Sequence, residues 1–453
     1  MKRSSLTLDM CTGSIFKKML RFALPLMLSG VLQLLFNAAD VIVVGQFAGT
    51  NSLAAVGSTT ALIALLTNLF IGLSVGVNVL AARYFGAGQE REFRQTIHTS
   101  VAIGALSGVF LTVLGMVLAR PILEMMGTPA EVIDLSVLYL RTYFAGMAAT
   151  MLYNFTSTIL LASGDTIRPL IILSCAGALN VSFNLLFVIC FQWGVFGVGL
   201  ATAISQWASS IAVVVCLLVE KGPLKLCLRE IKIHKDKLLK ILRIGLPAGL
   251  QSSLFSIANV VIQSSVNGFG PLVMAGNTAA QNLESFVFVS MSAFSQAAVS
   301  FIGQNLGAGR HERINRIVGT AQGCVIGVNA IIGVILFTCG PFLLSLYNSE
   351  PDVIAAGMDR LRIMAVSFVL AGMMDVMVGS LRGLGYSVMP MIVSLIGVCA
   401  LRLVWIFTLF QMPMFHSVEM LYITYPISWG LTLVAHTTCF AVVRKRLKRK
   451  WGV

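Results

Sequence analysis

Charged residues are scarce in this chain. Only 11% of its 453 residues are Asp, Glu, Lys or Arg, whereas 57% are hydrophobic and the mean hydropathy is +0.88. Soluble globular domains carry about 25% charged residues, so this composition excludes that class of protein. We therefore predict a protein that crosses a membrane several times.

Motifs for enzymatic chemistry and for metal binding are also missing. The nine cysteines form no C-x-x-C pair and no metal-ligand spacing, so we predict reduced thiols and no resident metal. The sequence Gly86-Ala87-Gly88 lacks the lysine of a phosphate-binding loop. No Ser, Cys or His with a matching base or acid lies on the apolar segments, which leaves an intramembrane enzyme as a remote alternative. We expect no cofactor.

Apolar runs of helical length follow one another along the chain. A run of about 20 residues, at ~1.5 Å rise per residue, crosses the hydrocarbon core of a bilayer. Twelve runs meet this length, which predicts an all-α protein with twelve transmembrane helices. They cover residues 22–44, 53–80, 95–119, 133–161, 168–191, 195–219, 241–266, 273–301, 314–338, 354–381, 388–411 and 417–443.

The net charge of +14 reflects membrane topology rather than a nucleic-acid partner. Lys and Arg concentrate in alternate loops, at residues 83–91, 220–243 and 310–313, and in the tail 444–450. Because basic loops stay on the cytoplasmic side, both termini are predicted to be cytoplasmic. We expect the bacterial plasma membrane as the location, and no nucleic acid as a partner.

The chain repeats itself. Three landmarks recur at a separation of 221 positions: Gly86-Ala87-Gly88 as Gly307-Ala308-Gly309, Gly164 as Gly385, and Pro169 as Pro390. This predicts two pseudo-symmetric six-helix bundles, at 1–219 and 241–443, with a cytoplasmic linker at 220–240 and a basic tail at 444–453. Two such bundles can expose a central cleft to either side of the membrane alternately, as a monomeric transporter does.

The first apolar run carries two costly residues. Pro25 removes a backbone hydrogen bond and bends the helix, which makes it the candidate hinge. Asp40 places a carboxyl near membrane depth at a cost of about 3 kcal/mol, which indicates a functional role. The alternative is a carboxylate at the helix end that reaches the outer interface.

Several motifs together resemble the multidrug and toxic compound extrusion (MATE) family, of the NorM and DinF type, over essentially the whole chain. They are Thr12-Gly13-Ser14-Ile15-Phe16-Lys17-Lys18, the stretch from Pro25 to Asp40, Ala54-Ala55-Val56-Gly57, Gly164-Asp165-Thr166-Ile167-Arg168-Pro169, Gly303-Gln304-Asn305-Leu306-Gly307-Ala308-Gly309 and Tyr425-Pro426-Ile427-Ser428-Trp429. The resemblance implies two bundles that export cationic, amphipathic drugs in exchange for protons or sodium ions.

The resemblance also implies a cation-coupling site in the N-terminal bundle, around Asp40 with Asn154, Asn180, Asn184 and Thr202. Independently, Asn180 and Asn184 are four residues apart and project from one helix face. The alternative is that these amides and hydroxyls only hold helices together. Some relatives have a second aspartate at the position of Asn184, and one carboxylate with neutral amides suits protons better than Na⁺.

Three further charges lie on the C-terminal spans, namely Glu284, Asp375 and Arg402. A drug cation needs a counter-charge, for which Glu284 is the first candidate and Asp375 the second. With Arg402 they make up the substrate-binding candidates. An internal ion pair of Arg402 with either acid is the alternative. A flippase for lipid-linked glycans, from the same superfamily, is the rival function. It is expected to use several cationic side chains, whereas the sequence indicates one clear arginine at this depth, Arg402.

Overall fold

Every regular element that the structure describes is helical. The structure is a computed structural model and describes residues 7–451, apart from the side chains of Thr50 and Ala61. Residues 1–6 of the predicted N-terminal bundle and 452–453 of the predicted tail lie outside this range. The α-helices are α1 Ile15–Val43, α2 Thr50–Gly86, α3 Glu90–Met125, α4 Ala130–Ala145, α5 Met147–Ser163, α6 Ile167–Leu185, α7 Gly194–Val219, α8 Lys235–Asn267, α9 Pro271–Gly307, α10 Ile314–Ser345, α11 Pro351–Gly383, α12 Val388–Ser394, α13 Leu401–Phe407, α14 Val418–Tyr422 and α15 Thr424–Trp451.

Short segments of other helical types join or extend these α-helices. Three are π-helical, at Val44–Ala48, Leu186–Cys190 and Leu395–Ala400, and four are 3₁₀-helical, at Leu228–Glu230, His311–Arg313, Leu409–Gln411 and Pro413–Phe415. A π-helical turn widens the helix by one residue per turn and is frequent at functional sites.

The number of spans agrees with the sequence, and the predicted all-α fold is confirmed. In the described range, eleven continuous helical stretches are long and apolar enough to cross a membrane, and the bent pair α4 and α5 makes a twelfth. The predicted fourth span, 133–161, is therefore broken, by 42° at Gly146. An added Cβ at Gly146 would lie 2.3 Å from Gln206 Oε1 and 2.9 Å from Ala203 Cα, so the glycine lets α7 approach the bend closely.

The basic residues 444–450 continue a helix. Helix α15 runs through them to Trp451. The Arg444 Nε donates to Asn315 Oδ1 at 2.8 Å, and the Trp451 ring stacks on His311 with centroids 3.8 Å apart. These contacts fix the end of α15 against the start of α10.

The repeat is visible in the backbone. Glycines in left-handed conformation recur 221 positions apart with nearly equal φ. The pairs are Gly49 (86°) with Gly270 (96°), Gly88 (68°) with Gly309 (69°), and Gly164 (98°) with Gly385 (93°). Since only glycine adopts such a φ without strain, these positions leave a mark in the sequence.

The motif around Gly164 builds the start of α6. The Asp165 Oδ1 accepts from the backbone N–H groups of Ile167 and Arg168, both at 3.1 Å, and so satisfies amides that the helix leaves free. The Arg168 guanidinium then bridges Asp165 and Glu220. The residues of this motif therefore have a structural role at the start of α6.

Contacts divide the chain into two units. The N-terminal unit comprises the described residues up to Asp9 and Leu28–Gly249, and the C-terminal unit comprises Met10–Met27 and the described residues from Leu250 onward. The division differs from the predicted bundles because residues 10–27 group with the C-terminal unit and residues 220–249 with the N-terminal unit. The first helices of the two halves are α1 and α8. The start of α1 therefore belongs to the C-terminal unit, and the start of α8 belongs to the N-terminal unit.

Four glycines bring α8 against α2 within the N-terminal unit. Gly72 and Gly76 on α2, and Gly245 and Gly249 on α8, each form a G-x-x-x-G face, which allows backbones to approach closely in membrane helices. A Cβ added to Gly72 would lie 2.2 Å from the Cα and N of Gly249. At these four positions no side chain fits between the helices.

We predict that Gly72→Ala lowers the apparent melting temperature of the purified protein, because the new methyl group collides with backbone atoms of α8. The matched control is Gly57→Ala on the same helix, where an added Cβ meets nothing within 4 Å. Alanine raises helix propensity by about 1 kcal/mol at both positions, so the control should be neutral or stabilising. Equal melting temperatures for the two variants would contradict the close approach.

Candidate functional site

Asp40 lies on the last turn of α1, where the helix leads into the π-helical segment Val44–Ala48. Its side chain is half-buried, and the Asn184 Nδ2 donates to its Oδ1. Among residues 7–451, no Lys, Arg or His side chain forms an ion pair with Asp40. The carboxyl therefore has neutral hydrogen-bond partners.

A row of hydrogen bonds extends from Asp40 to α7. The Asn184 Nδ2 also lies 3.3 Å from Asn180 Oδ1, and the Asn180 Nδ2 lies 3.4 Å from Thr202 Oγ1. Asn184 and Asn180 are 1% and 5% exposed, so bulk water does not replace these partners. The structure thus brings together Asp40, Asn180, Asn184 and Thr202, all from the N-terminal unit.

Asn154, the fifth predicted member, is engaged elsewhere. Its Nδ2 donates to the Thr150 carbonyl, one turn earlier on its own helix α5, at 2.8 Å. An amide that binds its own backbone is a common way for a polar side chain to be satisfied in a membrane helix. This hydrogen bond leaves Asn154 outside the row that starts at Asp40.

Two π-helical segments border the carboxyl. Val44–Ala48 follows Asp40 and Leu186–Cys190 follows Asn184, and the two segments pack against each other. One turn before Asp40 on α1, the Phe36 ring lies very near Gly177 on α6. A Cβ added to Gly177 would be 1.8 Å from the Phe36 Cε2. The glycine lets α1 and α6 approach, which places Asp40 within reach of Asn184.

Two tyrosines near Asp40 are absent from the sequence-based site. Tyr139 and Tyr143, on α4, both interact electrostatically with the Asp40 carboxyl. Their ring centroids are 6.0 Å apart, and Tyr139 packs in an apolar cluster with Val43 and Val44 of the adjoining π-helical turn. Their spacing of four residues on the fourth span could have identified them as a pair, because side chains at i and i+4 share a helix face.

The site offers oxygen atoms and a single carboxylate. In the described range, no group of three or more His, Cys, Asp or Glu side chains is arranged to hold a metal ion. A sodium ion near Asp40 would therefore depend on amide and hydroxyl oxygens for its remaining ligands. One such oxygen, Asn184 Oδ1, is buried without a hydrogen-bond partner in residues 7–451.

Glu284 in the C-terminal unit has a partner that the sequence analysis missed. The Arg360 Nε donates to Glu284 Oε1 at 2.7 Å and its Nη2 to Oε2 at 2.8 Å, while Nη1 donates to Asn277 Oδ1 at 2.9 Å. Glu284 and Arg360 are 2% and 3% exposed. This bidentate pair neutralises Glu284, and its arginine is Arg360 rather than Arg402.

The other two candidates in this unit have different surroundings. Asp375 interacts electrostatically with Arg382 and lies beside Ser295. Arg402 donates from Nε to Ser428 Oγ at 2.8 Å and lies over the ring of Tyr425, with its guanidinium carbon 4.0 Å from the ring centroid. The expectation of one clear arginine at this depth is therefore wrong, because Arg360 and Arg382 also lie within α11.

Comparison with known proteins agrees with this architecture. The family model described as MatE matches the chain twice, over residues 25–186 and 247–408. A probable multidrug resistance protein, YoeA of Bacillus subtilis, is 27% identical over 93% of this chain and 92% of its own length. The probable multidrug resistance protein NorM of Thermotoga maritima is 26% identical over 86% of this chain and 84% of its own length.

A solved structure shares the fold. It is described as an outward-facing conformation of a multidrug resistance MATE family transporter of the MOP superfamily, and it matches with a TM-score of 0.91 at 22% identity, over 99% of this chain and 100% of that one. At 22% identity this likeness shows the fold alone, and the role of a transporter rather than an enzyme rests on the family model and the two relatives. The chain belongs to the MatE family, and the resemblance found in the sequence is confirmed.

We predict that Glu284→Gln destabilises the protein, because it leaves the Arg360 guanidinium buried without its counter-charge. Removing one partner of a buried ion pair costs about 3–5 kcal/mol. The matched control is Glu124→Gln, which removes an ion pair with Arg120 whose side chains are 57% and 51% exposed. Such a surface pair contributes at most about 1 kcal/mol.

The readout is the apparent melting temperature of both variants in detergent. Adding Arg360→Met to Glu284→Gln should recover much of the loss, because the unpaired charge is then removed as well. If Glu284→Gln melts like the wild type while Glu124→Gln also has no effect, the buried pair does not stabilise the unit.

Proposed function

We propose that the chain is a secondary active multidrug efflux transporter that exports amphipathic organic cations in exchange for protons. The observation that supports this most is the Asp40 carboxyl on a membrane-length helix of the N-terminal unit, which accepts a hydrogen bond from the neutral amide of Asn184. The names of the similar proteins from Bacillus subtilis and Thermotoga maritima support multidrug efflux.

Neutral partners suit a carboxyl that gains and loses a proton. An amide donates through its nitrogen to a carboxylate and accepts through its oxygen from a carboxylic acid, so Asn184 can serve both states of Asp40. Burial at this depth disfavours the charged form, which promotes proton uptake when no cation is near. A proton and an organic cation then compete for the same negative charge, which couples their movements in opposite directions.

The pairing of Glu284 changes where a cation would bind. Since Arg360 already neutralises Glu284, that carboxylate attracts a further cation weakly. Asp375 interacts electrostatically with Arg382 but forms no ion pair with it in residues 7–451, so it remains the substrate-binding candidate in the C-terminal unit. Asp40 itself becomes the first candidate in the N-terminal unit. We propose Pro25, within α1, as the hinge that lets the helix bend when the partner of Asp40 changes.

The lipid-linked glycan flippase is supported less well by these contacts. Three arginines of the C-terminal unit bear on this comparison, Arg360, Arg382 and Arg402. Arg360 is bound by Glu284, and Arg382 interacts with Asp375 and donates to Gln251. Arg402 alone is left to meet an anion, whereas a pyrophosphate carries more than one negative charge. The rival function would need additional cationic side chains.

The proposed location is the bacterial plasma membrane, with both termini in the cytoplasm and one chain as the working unit. The alternation of basic loops supports this orientation. For a monovalent cation exchanged one for one with a proton, the membrane potential cancels. Each pH unit then supplies about 1.4 kcal/mol, which sustains about tenfold accumulation.

We predict that Asp40→Asn abolishes pH-driven export, because an amide cannot bind the coupled proton. In proteoliposomes, the wild type should accumulate a dye such as ethidium about tenfold per unit of pH gradient, and the variant should not respond to the gradient. The matched control is Asp134→Asn, an acid that is 78% exposed on α4 and should leave export unchanged. Full export by Asp40→Asn with unchanged pH dependence would refute proton coupling at this residue.

We further predict that Asn184→Asp shifts the coupling toward sodium. A second carboxylate beside Asp40 supplies the charged oxygen that a hard cation prefers. Export by this variant should become dependent on Na⁺ at fixed pH, whereas export by the wild type should not. Sodium-driven export by the wild type, in the absence of a pH gradient, would instead assign Asp40, Asn180, Asn184 and Thr202 to a sodium site.

A further inference from the structure

Arg402 is a buried cation that no carboxylate in the described range neutralises. Its residue is 3% exposed within α13, and aromatic rings enclose its guanidinium carbon, which lies 4.0 Å from the centroid of Tyr425 and 5.4 Å from that of Trp429. The groups that act on it electrostatically are Tyr425, Cys399 and Arg360. None of these is an acid that is ionised at neutral pH.

The neighbouring acid, Glu284, is already paired with another arginine, Arg360. The Arg360 guanidinium carbon lies 5.2 Å from the centroid of the same Tyr425 ring, and both its Nε and its Nη2 are bound to Glu284. Two guanidinium groups therefore lie over one aromatic ring, and only that of Arg360 has a carboxylate partner. Because arginine keeps its proton in proteins, this cluster has an excess positive charge, and a buried charge is costly unless it is paired.

Unpaired hydrogen-bond groups accompany this charge. The Arg402 Nη2, the Trp405 Nε1 and the Tyr422 hydroxyl are buried, and none of them has a hydrogen-bond partner in residues 7–451. Trp405 follows Arg402 by three residues on α13 and packs against the apolar cluster that contains Tyr422, Tyr425 and Trp429. Each of these groups can donate a hydrogen bond.

The backbone next to Arg402 is irregular. The π-helical segment Leu395–Ala400 ends two residues before it. Insertions of this kind are frequent at functional sites. The segment, the surplus charge and the unused donors all lie within the C-terminal unit and are separate from the hydrogen bonds at Asp40.

We propose that Arg402, together with the Trp405 and Tyr422 side chains, binds a compact, singly charged anion inside the C-terminal unit. The ligand chemistry is one negative charge that accepts hydrogen bonds from N–H and O–H donors in an aromatic environment. Two sources fit this chemistry, a free inorganic anion such as chloride and a carboxylate carried by an exported compound. The inference does not depend on proton coupling at Asp40.

The test compares the thermal stability of three full-length proteins in detergent, the wild type, Arg402→Gln and Arg362→Gln. The last is the matched control, since Arg362 also lies in the C-terminal unit but is 62% exposed. Sodium chloride or sodium benzoate is added at constant ionic strength, with sodium sulfate, whose anion is doubly charged, as the balancing salt. Ligand that binds only the folded state raises the melting temperature in a saturable way.

We expect one or both probe anions to raise the melting temperature of the wild type and of Arg362→Gln saturably, by about 2 °C or more, and to leave Arg402→Gln without a saturable response. A response to chloride alone assigns the site to a free inorganic anion, and a response to benzoate alone assigns it to an acidic cargo. A response to both means that the site accepts either source. No saturable response of the wild type, or an equal response of Arg402→Gln, overturns the proposal.

A second readout covers the case in which Arg402→Gln does not fold. Iodide quenches tryptophan fluorescence, and Trp429 lies beside the Arg402 guanidinium. In the wild type, quenching by iodide should have a saturable component that chloride or benzoate reduces and that Trp429→Phe loses. Arg402→Lys, which keeps the charge, should retain part of it. Purely linear quenching of the wild type would count against an anion site.

Discussion

A polar group at the depth of the hydrocarbon core has no water to bind, so the protein must supply its partner. This constraint explains why every described element is helical, because a helix satisfies its own backbone. It also explains why many hydroxyls turn back on their own helix, as Thr202 does by donating to the Val198 carbonyl at 3.0 Å. Charged side chains cannot be satisfied this way, and their surroundings therefore distinguish the two units.

Two carboxyls within membrane helices, one in each unit, have opposite kinds of partner. In the C-terminal unit, Glu284 receives two hydrogen bonds from a permanent cation, Arg360. In the N-terminal unit, Asp40 receives a hydrogen bond from an amide, which can also accept one from a protonated carboxyl. An ion pair stabilises one protonation state, whereas an amide permits two. Proton exchange therefore fits Asp40 better than Glu284.

Local sequence signals predicted those parts of the fold that depend on local physics. Hydropathy gave the spans, and the glycines at positive φ revealed the repeat because few other residues tolerate that conformation. The pair Asn180 and Asn184 could be recognised since four residues make one helical turn. Asn154 could not be judged, because the choice between a partner on another helix and its own backbone depends on packing.

Contacts between distant helices were beyond the sequence. Glu284 and Arg360 lie on α9 and α11, 76 positions apart, and their pairing requires the crossing geometry of those helices. Without that geometry, the sequence indicated Arg402 alone, and the positive charges of Arg360 and Arg382 in the C-terminal unit were not considered. The break at Gly146 was also hidden, because the apolar run continues through it and only the close approach of α7 reveals its role.

Helix α1 carries the candidate carboxyl and also joins the two units through its backbone. Its residues up to Met27 group with the C-terminal unit and those from Leu28 with the N-terminal unit, and α8 changes in the same way between Gly249 and Leu250. Pro25 and Pro247 each precede the change by a few residues. A proline removes a backbone hydrogen bond, so a helix bends there at lowest cost. From Pro25 to Asp40 the helix is otherwise regular and about 22 Å long. Under the proposed proton coupling, a new partner for Asp40 would therefore act on the same continuous helix that carries Pro25.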